Sequence, residues 1–219
     1  MRNGRQAMID YRAARLRMVD YQIARRGMTE PAVLEAMKAV PREQFVPEAL
    51  RDRAYDDTAL PIDNDQTISQ PYIVALMAWA AELNDSHKIL EIGTGSGYAA
   101  AVMAELGGWV TTIERIASLA DRARTRLQRL GYANIEVKSG DGSVGCEAEA
   151  PFDAILSAAG SRIVPTAWKQ QLAIGGRLVM PLGPLGDQQL VKIVRTGNAD
   201  FTQKALVAVR FVPLVGGTS

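Results

Sequence analysis

Residues 90–98, LEIGTGSGY, contain a glycine-rich loop of the kind that binds the nucleoside part of a cofactor. The loop follows a short apolar run and precedes a helical pattern. Gly93 permits a tight turn, Gly95 lets the main chain approach a ligand closely, and Gly97 lets helix and strand pack together. Glu114 stands at the end of the next β-rich run, where a carboxylate can accept hydrogen bonds from both hydroxyls of a ribose.

The charges around this loop distinguish between two kinds of cofactor. A dinucleotide site has the spacing G-x-G-x-x-G and a pyrophosphate at the helix N-terminus, whereas the spacing here is G-x-G-x-G. Glu91, directly before the loop, would repel a diphosphate but attract an ammonium or sulfonium group. In GDG at residues 140–142, Asp141 could accept a hydrogen bond from the adenine amino group, and Gly142 leaves room for the ring. These markers favour S-adenosylmethionine, which carries both cations and no phosphate, over NAD.

The predicted cofactor contacts combine the loop with the acidic markers. They are Glu91, Gly93, Thr94, Gly95, Ser96, Glu114, Asp141 and Gly142. Each marker alone also fits an ordinary turn between a strand and a helix, so the prediction rests on their order and spacing.

A second polar stretch, DQTISQPYIV at residues 65–74, places Ser69 directly before an apolar helical pattern. The Ser69 hydroxyl has two possible roles. It can cap a helix that begins near Pro71, an interaction usually worth ~1 kcal/mol, or it can face a reacting group. The residue types alone favour the cap, and the two roles are compatible.

The composition excludes several other classes of function. His87 and Cys146 are the single histidine and the single cysteine, too few for a histidine-based triad or a His/Cys zinc site. Cys146 is predicted to be a buried small hydrophobe in a reducing compartment. With 25 Lys and Arg against 24 Asp and Glu, the net charge of +1 gives no field that favours nucleic acid. No apolar run is long enough to span a membrane, and the arginine-rich N-terminus lacks serine and contains acids, unlike a transit peptide, so the expected location is the cytoplasm.

From residue 88 onward, short β-rich runs alternate with helical ones, which predicts an α/β fold. We expect about seven strands in a Rossmann-like, mostly parallel sheet with an antiparallel C-terminal end. The predicted strands are 88–92, 109–113, 134–138, 153–157, 176–181, 189–195 and 205–211, and the predicted helices between them are 97–106, 116–130 and 164–172.

The N-terminal third has a different pattern. Helical spacing predicts a helix over about 6–26 that Gly27 ends, a second helix that Thr29 caps, and an irregular connector over 41–66. Ser69 would then cap a buried helix over 71–83. We expect one domain over 1–219, with 1–66 as an N-terminal helical extension and connector and 67–219 as the Rossmann-like core.

Seven stretches of the chain resemble the bacterial type of protein-L-isoaspartate (D-aspartate) O-methyltransferases. They are VPREQFVPEAL (40–50), the segment from Tyr55 through ALPI to QTISQPYIVALM (66–77), LEIGTGSGYAAAVMAEL (90–106), GDG (140–142), APFDAIL (150–156), GGRLVMPLG (175–183) and VRFVPLV (209–215). The resemblance covers roughly 18–216. The combination of QTISQPY, EIGTGSGY and VRFVPL is specific, since other methyltransferases share only the glycine loop and the acidic markers.

This resemblance implies a repair activity. Such enzymes use S-adenosylmethionine, without a metal, to methylate the free α-carboxylate of L-isoaspartyl residues, and the ester then closes to a succinimide that reopens partly to normal aspartate. By the same resemblance Ser69 is the active-site residue, and Thr67, Ile68, Val212 and Leu214 bind the substrate. We expect a cytoplasmic monomer that acts on isoaspartyl proteins or peptides and has no nucleic-acid or membrane partner.

Three departures from the family pattern stand out. Asp63 and Asp65 replace glycines, and their charges would repel an anionic substrate unless they point away. Ala158 and Arg162 alter the stretch after the fourth strand, where Arg162 is expected at the surface. Ser143 replaces a large aromatic residue at the adenine end.

Two alternatives stay open at this point. One is a methyltransferase of the same fold that acts on another carboxylate, which the altered residues 63–65 suggest. The other is a module that binds S-adenosylmethionine without turnover.

Overall fold

The computed structural model describes residues 9–216, and a seven-stranded sheet forms its centre. In chain order the strands are β1 (Leu60–Pro61), β2 (Thr67–Ile68), β3 (Lys88–Ile92), β4 (Trp109–Glu114), β5 (Ile135–Ser139), β6 (Phe152–Ser157), β7 (Leu172–Leu182), β8 (Gln188–Arg195) and β9 (Phe201–Val209). β1 and β2 pair separately, and the large sheet has the order β5-β4-β3-β6-β7-β8-β9. β3 to β7 run parallel, whereas β7, β8 and β9 pair antiparallel. The predicted fold class and strand number are therefore confirmed.

Six α-helices accompany the strands in the described part of the chain. They are α1 (Tyr11–Met18), α2 (Pro31–Ala39), α3 (Pro71–Ala80), α4 (Tyr98–Ala104), α5 (Ala117–Arg129) and α6 (Thr166–Gln171). None of the helices described is long and apolar enough to cross a membrane.

The central strands bury alternate side chains on the two faces of the sheet. In β3, Ile89 packs in an apolar cluster with α3 and α4, while Leu90 packs in a second cluster around Trp168 of α6. Because side chains alternate along a strand, Glu91 lies on the same face as Ile89. The first cluster also contains buried residues of α2 and of the segment 18–60, so the N-terminal helices share a core with α3 and α4.

The N-terminal helix differs from its prediction in detail. The first three positions of the predicted 6–26 helix lie outside the described residues. α1 continues through a π-helical turn, Val19–Ile23, and a 3₁₀ turn, Ala24–Arg26, and it ends at Gly27, whose φ of 93° is left-handed as expected of a helix stop.

Three local predictions are wrong. Glu30, not Thr29, is the N-cap of α2, and no side chain caps it, because Pro31 at the first helical position already removes one N–H that a cap would satisfy. The connector is not wholly irregular, since Leu60 pairs with Ile68 in the β1–β2 ladder. Cys146 is half-buried rather than buried, at the edge of the Trp168 cluster.

Candidate functional site

Two adjoining cavities open at the carboxyl ends of β3, β4 and β6. The first, which we call the serine cavity, has a volume of 490 Å³ and is lined by Ser69, Gln70, Gln188 and the segment 208–212, among others. The second, the glycine-loop cavity, has a volume of 240 Å³. Thr67, Ala158 and Val212 line both cavities, so the two spaces share a wall.

The glycine loop forms one side of the second cavity. Gly93, Gly95 and Gly97 have φ values of 91°, 53° and 88°, a backbone conformation that side-chain-bearing residues rarely adopt. Gly93 and Gly95 line the cavity. A Cβ on Gly97 would approach Leu127 of α5 to 3.2 Å, so this glycine makes room for α5 rather than for the predicted contact between helix and strand.

Glu114 lies at the rim of the glycine loop, where the sequence predicts a carboxylate that binds a ribose. Its side chain is buried and lines the glycine-loop cavity. One carboxylate oxygen accepts the N–H of Gly95 at 2.8 Å, and the other accepts the N–H of Ile116 at 3.0 Å. Each carboxylate oxygen has a further lone pair, so these bonds fix the carboxylate and leave it able to accept a hydroxyl.

Glu91 is fully buried and lines a small 20 Å³ cavity together with Ser69 and Ala158. Its carboxylate accepts a hydrogen bond from the Thr112 hydroxyl at 2.5 Å, and the Thr112 and Thr94 hydroxyls are 2.6 Å apart. Burial, reinforced by the charge of Glu114 and opposed by the Thr112 bond, raises the pKa of Glu91 to about 8. A cation in the adjoining space would favour its ionised form.

The side chains of Thr94 and Ser96 point away from the glycine-loop cavity. The Thr94 hydroxyl bonds that of Thr112, while Ser96 Oγ accepts the N–H of Tyr98 at 3.3 Å. The structure therefore brings their main chain, but not their side chains, to the loop. Their contact with a cofactor stays a prediction, and in this structure only their main-chain atoms are placed to make it.

Asp141 and Gly142 lie after β5. Asp141 Oδ1 accepts the N–H of Ser143 at 2.8 Å, so this carboxylate also caps a short 3₁₀ turn, and it does not line the glycine-loop cavity. Gly142 does line that cavity, yet a Cβ there would lie 2.6 Å from Ile92 Cγ2. Room for the strand β3 is therefore a second reason for glycine at 142, besides the predicted room for a ring.

Ser69 is half-buried and reaches both the serine cavity and the small cavity beside Glu91. The prediction that it caps α3 is wrong. The N-cap is Gln70, without a side-chain bond, and Asp57 accepts the N–H of Tyr72 at 3.4 Å instead. Within residues 9–216 the Ser69 hydroxyl has no hydrogen-bond partner, so it is available to a ligand.

The predicted substrate-binding residues are only partly brought together. Thr67 and Val212 line both cavities, and Leu214 lines the glycine-loop cavity. Ile68 is buried in the core, where its side chain cannot touch a ligand. The carbonyl of Val212 accepts the N–H of Gly160 at 2.8 Å, and the N–H of Leu214 donates to the Gly160 carbonyl at 2.7 Å.

The acidic loop does not face either cavity. Asp63 forms an ion pair with Arg122 of α5, and neither Asp63 nor Asp65 lines the serine or the glycine-loop cavity. The Ile62 side chain instead lies over the glycine loop, 3.6 Å from where a Cβ on Gly95 would be. Arg162 is exposed, as expected.

Several residues that line the two cavities were not predicted from the sequence. They include Gln66, Gln188, Arg210 and Phe211. Gln188 comes from the start of β8 and meets the C-terminal segment only through the antiparallel fold-back of β9. Nothing in its local sequence marks it, although VRFVPLV did point to the segment that it contacts.

Comparison with known proteins gives a consistent result along almost the whole chain. A model of the family described as protein-L-isoaspartate(D-aspartate) O-methyltransferase (PCMT) matches residues 13–219. Protein-L-isoaspartate O-methyltransferase 1 of Rhodopseudomonas palustris strain HaA2 is 56% identical over 207 residues, which are 94% of this chain and 84% of that protein. The protein-L-isoaspartate O-methyltransferase of Syntrophus aciditrophicus is 52% identical over 212 residues, 95% of this chain and 97% of that protein.

Solved structures show the same fold. A structure of a protein-L-isoaspartate O-methyltransferase superposes with a TM-score of 0.79 at 27% identity, covering 94% of this chain and 66% of that one. A Plasmodium falciparum structure described as that enzyme, in complex with S-adenosyl-L-homocysteine, gives a TM-score of 0.80 at 24% identity, covering 92% and 98%.

Proposed function

The chain belongs to the protein-L-isoaspartate (D-aspartate) O-methyltransferase family, and from this premise we propose how its two cavities divide the reaction. The enzyme transfers a methyl group from S-adenosyl-L-methionine to the free α-carboxylate of L-isoaspartyl residues, which starts repair through a succinimide. The glycine-loop cavity takes the cofactor, and the serine cavity takes the isoaspartyl residue. One observation carries the assignment: Thr67, Ala158 and Val212 line both cavities, so donor and acceptor meet across one wall.

The residues of the glycine-loop cavity fit S-adenosyl-L-methionine. Glu114 offers a carboxylate to vicinal hydroxyls, and Ile113, Ile116 and Leu214 offer apolar surface to a flat ring. Bound there, S-adenosyl-L-methionine supplies a methyl group on a positively charged sulfur. We propose that Glu91 and Glu114, with the main chain of Gly93 to Ser96 and the turn of Asp141 and Gly142, hold the cofactor.

Ser69 orients the acceptor in this proposal. A carboxylate with a reference pKa of about 3.9 is already ionised near neutral pH, so the reaction requires no general base. The Ser69 hydroxyl donates to one carboxylate oxygen and leaves the other free to attack. A single neutral donor suits the step, because the charge on the carboxylate is lost in the transition state and stronger stabilisation of it would slow transfer.

Thr67 and the main chain around Val212 bound the substrate on its other sides. Since the inner edge of 212–214 is already hydrogen-bonded to Gly160, this segment contacts the peptide through its outer edge and side chains. Ile68 contributes only main-chain atoms, because its side chain belongs to the core.

We further propose that the enzyme works as a monomer in the cytoplasm, on proteins and peptides rather than nucleic acid, and without a metal. The near-zero net charge of +1 supports the absence of a nucleic-acid partner.

The test is a transfer assay with labelled S-adenosyl-L-methionine and two peptides that differ only in one isoaspartyl or normal aspartyl linkage. We expect labelling of the isoaspartyl peptide alone. Equal labelling, or labelling of only the normal peptide, would instead favour a methyltransferase for another carboxylate. The position of the acidic loop supports the proposal over that alternative, since Asp63 pairs with Arg122 and neither Asp63 nor Asp65 lines either cavity.

A further inference from the structure

One extended segment of the C-terminal region builds a wall of both cavities. Phe211 and Val212 line the serine cavity, and Val212 to Val215 line the glycine-loop cavity. We call residues 211–215 the wall segment. It follows β9 but belongs to no strand of the large sheet, so it lacks the ladder of hydrogen bonds that fixes β9.

Main-chain and side-chain hydrogen bonds from two residues, Gly160 and Gln188, hold the wall segment. Gly160 exchanges main-chain hydrogen bonds with Val212 and Leu214. The side chain of Gln188 makes the other contact, because its Oε1 accepts the N–H of Phe211 at 2.7 Å.

The Gln188 side chain takes the place of a main-chain hydrogen-bond partner just past the end of the β8–β9 ladder. It is the first residue of β8, and its main chain pairs with Val209, the last residue of β9. The pairing of β8 with β9 therefore ends two residues before Phe211. The side-chain amide of Gln188 extends past this point, and its oxygen accepts the N–H of Phe211. Gln188 is 2% exposed and Phe211 is half-buried, so this hydrogen bond is partly shielded from competing water.

Gly160 and Gln188 also fit against each other. A Cβ on Gly160 would lie 2.1 Å from Gln188 Nε2 and 2.8 Å from its Cδ. The absence of a side chain at 160 thus makes room for the amide, and the two residues that hold the wall segment form one packed unit.

We infer that Gln188 is a positioning residue for methyl transfer: by holding Phe211 it fixes Val212, and with Val212 the spacing between cofactor and acceptor carboxylate. This inference rests on the assignment of the two cavities made above. The reaction requires two reactants in line, and a displacement of about 1 Å can lower turnover by about 100-fold. A shift of the wall segment would move the boundary of both sites at once.

The test compares Gln188→Leu, which keeps the size of the side chain but cannot accept a hydrogen bond, with Gln189→Leu. Gln189 is the exposed neighbour on β8 and lines neither cavity, so its variant controls for a new leucine at this place. Three readouts are measured: amide exchange of the fragment 209–216, the dissociation constant for S-adenosyl-L-homocysteine, and kcat and KM for the isoaspartyl peptide.

For Gln188→Leu we expect exchange in the wall segment to rise by about tenfold, the expected effect of losing one hydrogen bond. We expect kcat to fall by about 10- to 100-fold and the dissociation constant to rise, while Gln189→Leu matches the wild type in all three. Unchanged exchange would show that Gln188 does not hold the segment. Faster exchange with kcat within about twofold of the wild type would show that the segment does not position the reactants; either result overturns the inference.

A second variant covers the case in which Gln188→Leu does not fold. Gln188→Glu keeps an oxygen that accepts the N–H of Phe211, so exchange in the wall segment should stay near the wild-type rate, and exchange as fast as in an unprotected amide would contradict the inference. If the wild type fails to methylate the isoaspartyl peptide, the proposed function fails instead. The exchange and S-adenosyl-L-homocysteine readouts need no substrate and still test the wall segment.

Discussion

Asp57 accepts the main-chain N–H of Tyr72 at 3.4 Å, and thereby caps the helix that begins two residues after Ser69. The other oxygen of Asp57 accepts a hydrogen bond from Arg26 at 2.8 Å, and the Arg26 guanidinium lies 3.4 Å from the centre of the Tyr72 ring. The N-terminal extension thus holds the start of α3 through Asp57. Because Asp57 caps the helix from the N-terminal extension, the hydroxyl of Ser69 is left available to the serine cavity that it lines.

Ser69→Ala tests this division of roles. We expect kcat to fall by about 10- to 100-fold, because the acceptor carboxylate loses its orienting donor. The free energy of unfolding should change by less than about 0.5 kcal/mol, since no cap is removed. Turnover assays, calorimetric binding of S-adenosyl-L-homocysteine and denaturant unfolding measure the three quantities.

Ser69→Thr is the companion variant, since it keeps a hydroxyl and should retain more turnover than the alanine variant. A large loss of stability in Ser69→Ala together with unchanged turnover would show that Ser69 caps the helix and takes no part in the reaction.

Asp57→Ala should lower the free energy of unfolding more, and turnover less, than Ser69→Ala does. Losing a cap costs about 1 kcal/mol of unfolding free energy, and here an ion pair with Arg26 is lost as well. We expect a smaller drop in kcat than for Ser69→Ala, because α3 starts less firmly but the hydroxyl remains. Urea unfolding and turnover assays check both expectations.

Asp56→Ala is the matched control for Asp57→Ala. Asp56 is exposed and pairs only locally with Arg53, at 3.2 Å, so the change should cost less than about 0.5 kcal/mol. Equal losses of stability in the two variants would mean that the bond from Tyr72 to Asp57 does not cap the helix.

The sheet and the glycine loop could be predicted from sequence because their signals are local. Each strand is a short apolar run, and the turns at Gly93, Gly95 and Gly97 require glycine whatever surrounds them. The cap of α3 could not be predicted, because Asp57 is distant in sequence and the spacing of Ser69 suggested a nearer partner. The contact of Gln188 with Phe211 was invisible for the same reason, since it depends on how β8 and β9 fold back on each other.

The family resemblance reached further than local patterns, but it could not say which atoms of each residue matter. The resemblance pointed to Ile68, and the glycine-loop motif pointed to Thr94 and Ser96. The structure turns all three side chains away from the cavities. Side-chain direction depends on the packing of neighbouring strands, which a motif does not record.

Gly142→Ala should destabilise the fold and weaken the cofactor site together. The added Cβ would lie 2.6 Å from Ile92 Cγ2, in a buried position, and overpacking of this kind costs about 1–3 kcal/mol. Because Gly142 lines the glycine-loop cavity, the affinity for S-adenosyl-L-homocysteine should fall too. Gly140→Ala is the stability control, since nothing lies within 4 Å of a Cβ there, and a similar loss of unfolding free energy in both variants would contradict the packing argument.

Glu91 should make both stability and cofactor binding depend on pH. Burial raises its pKa from 4.5 to about 8 in the folded protein, so the fold favours the neutral carboxyl. A group whose folded pKa is raised in this way binds more protons folded than unfolded between about pH 4.5 and pH 8, and its contribution to stability therefore falls as pH rises through that window. In Glu91→Gln this loss is absent, so the melting temperature of the variant relative to the wild type should increase with pH across the window.

The cationic S-adenosyl-L-methionine favours an ionised Glu91, so its affinity for the wild type should rise toward pH 8 more steeply than that of neutral S-adenosyl-L-homocysteine. Glu91→Gln should abolish the difference. Parallel pH profiles for the two ligands in the wild type would show that Glu91 does not sense the charge on the cofactor.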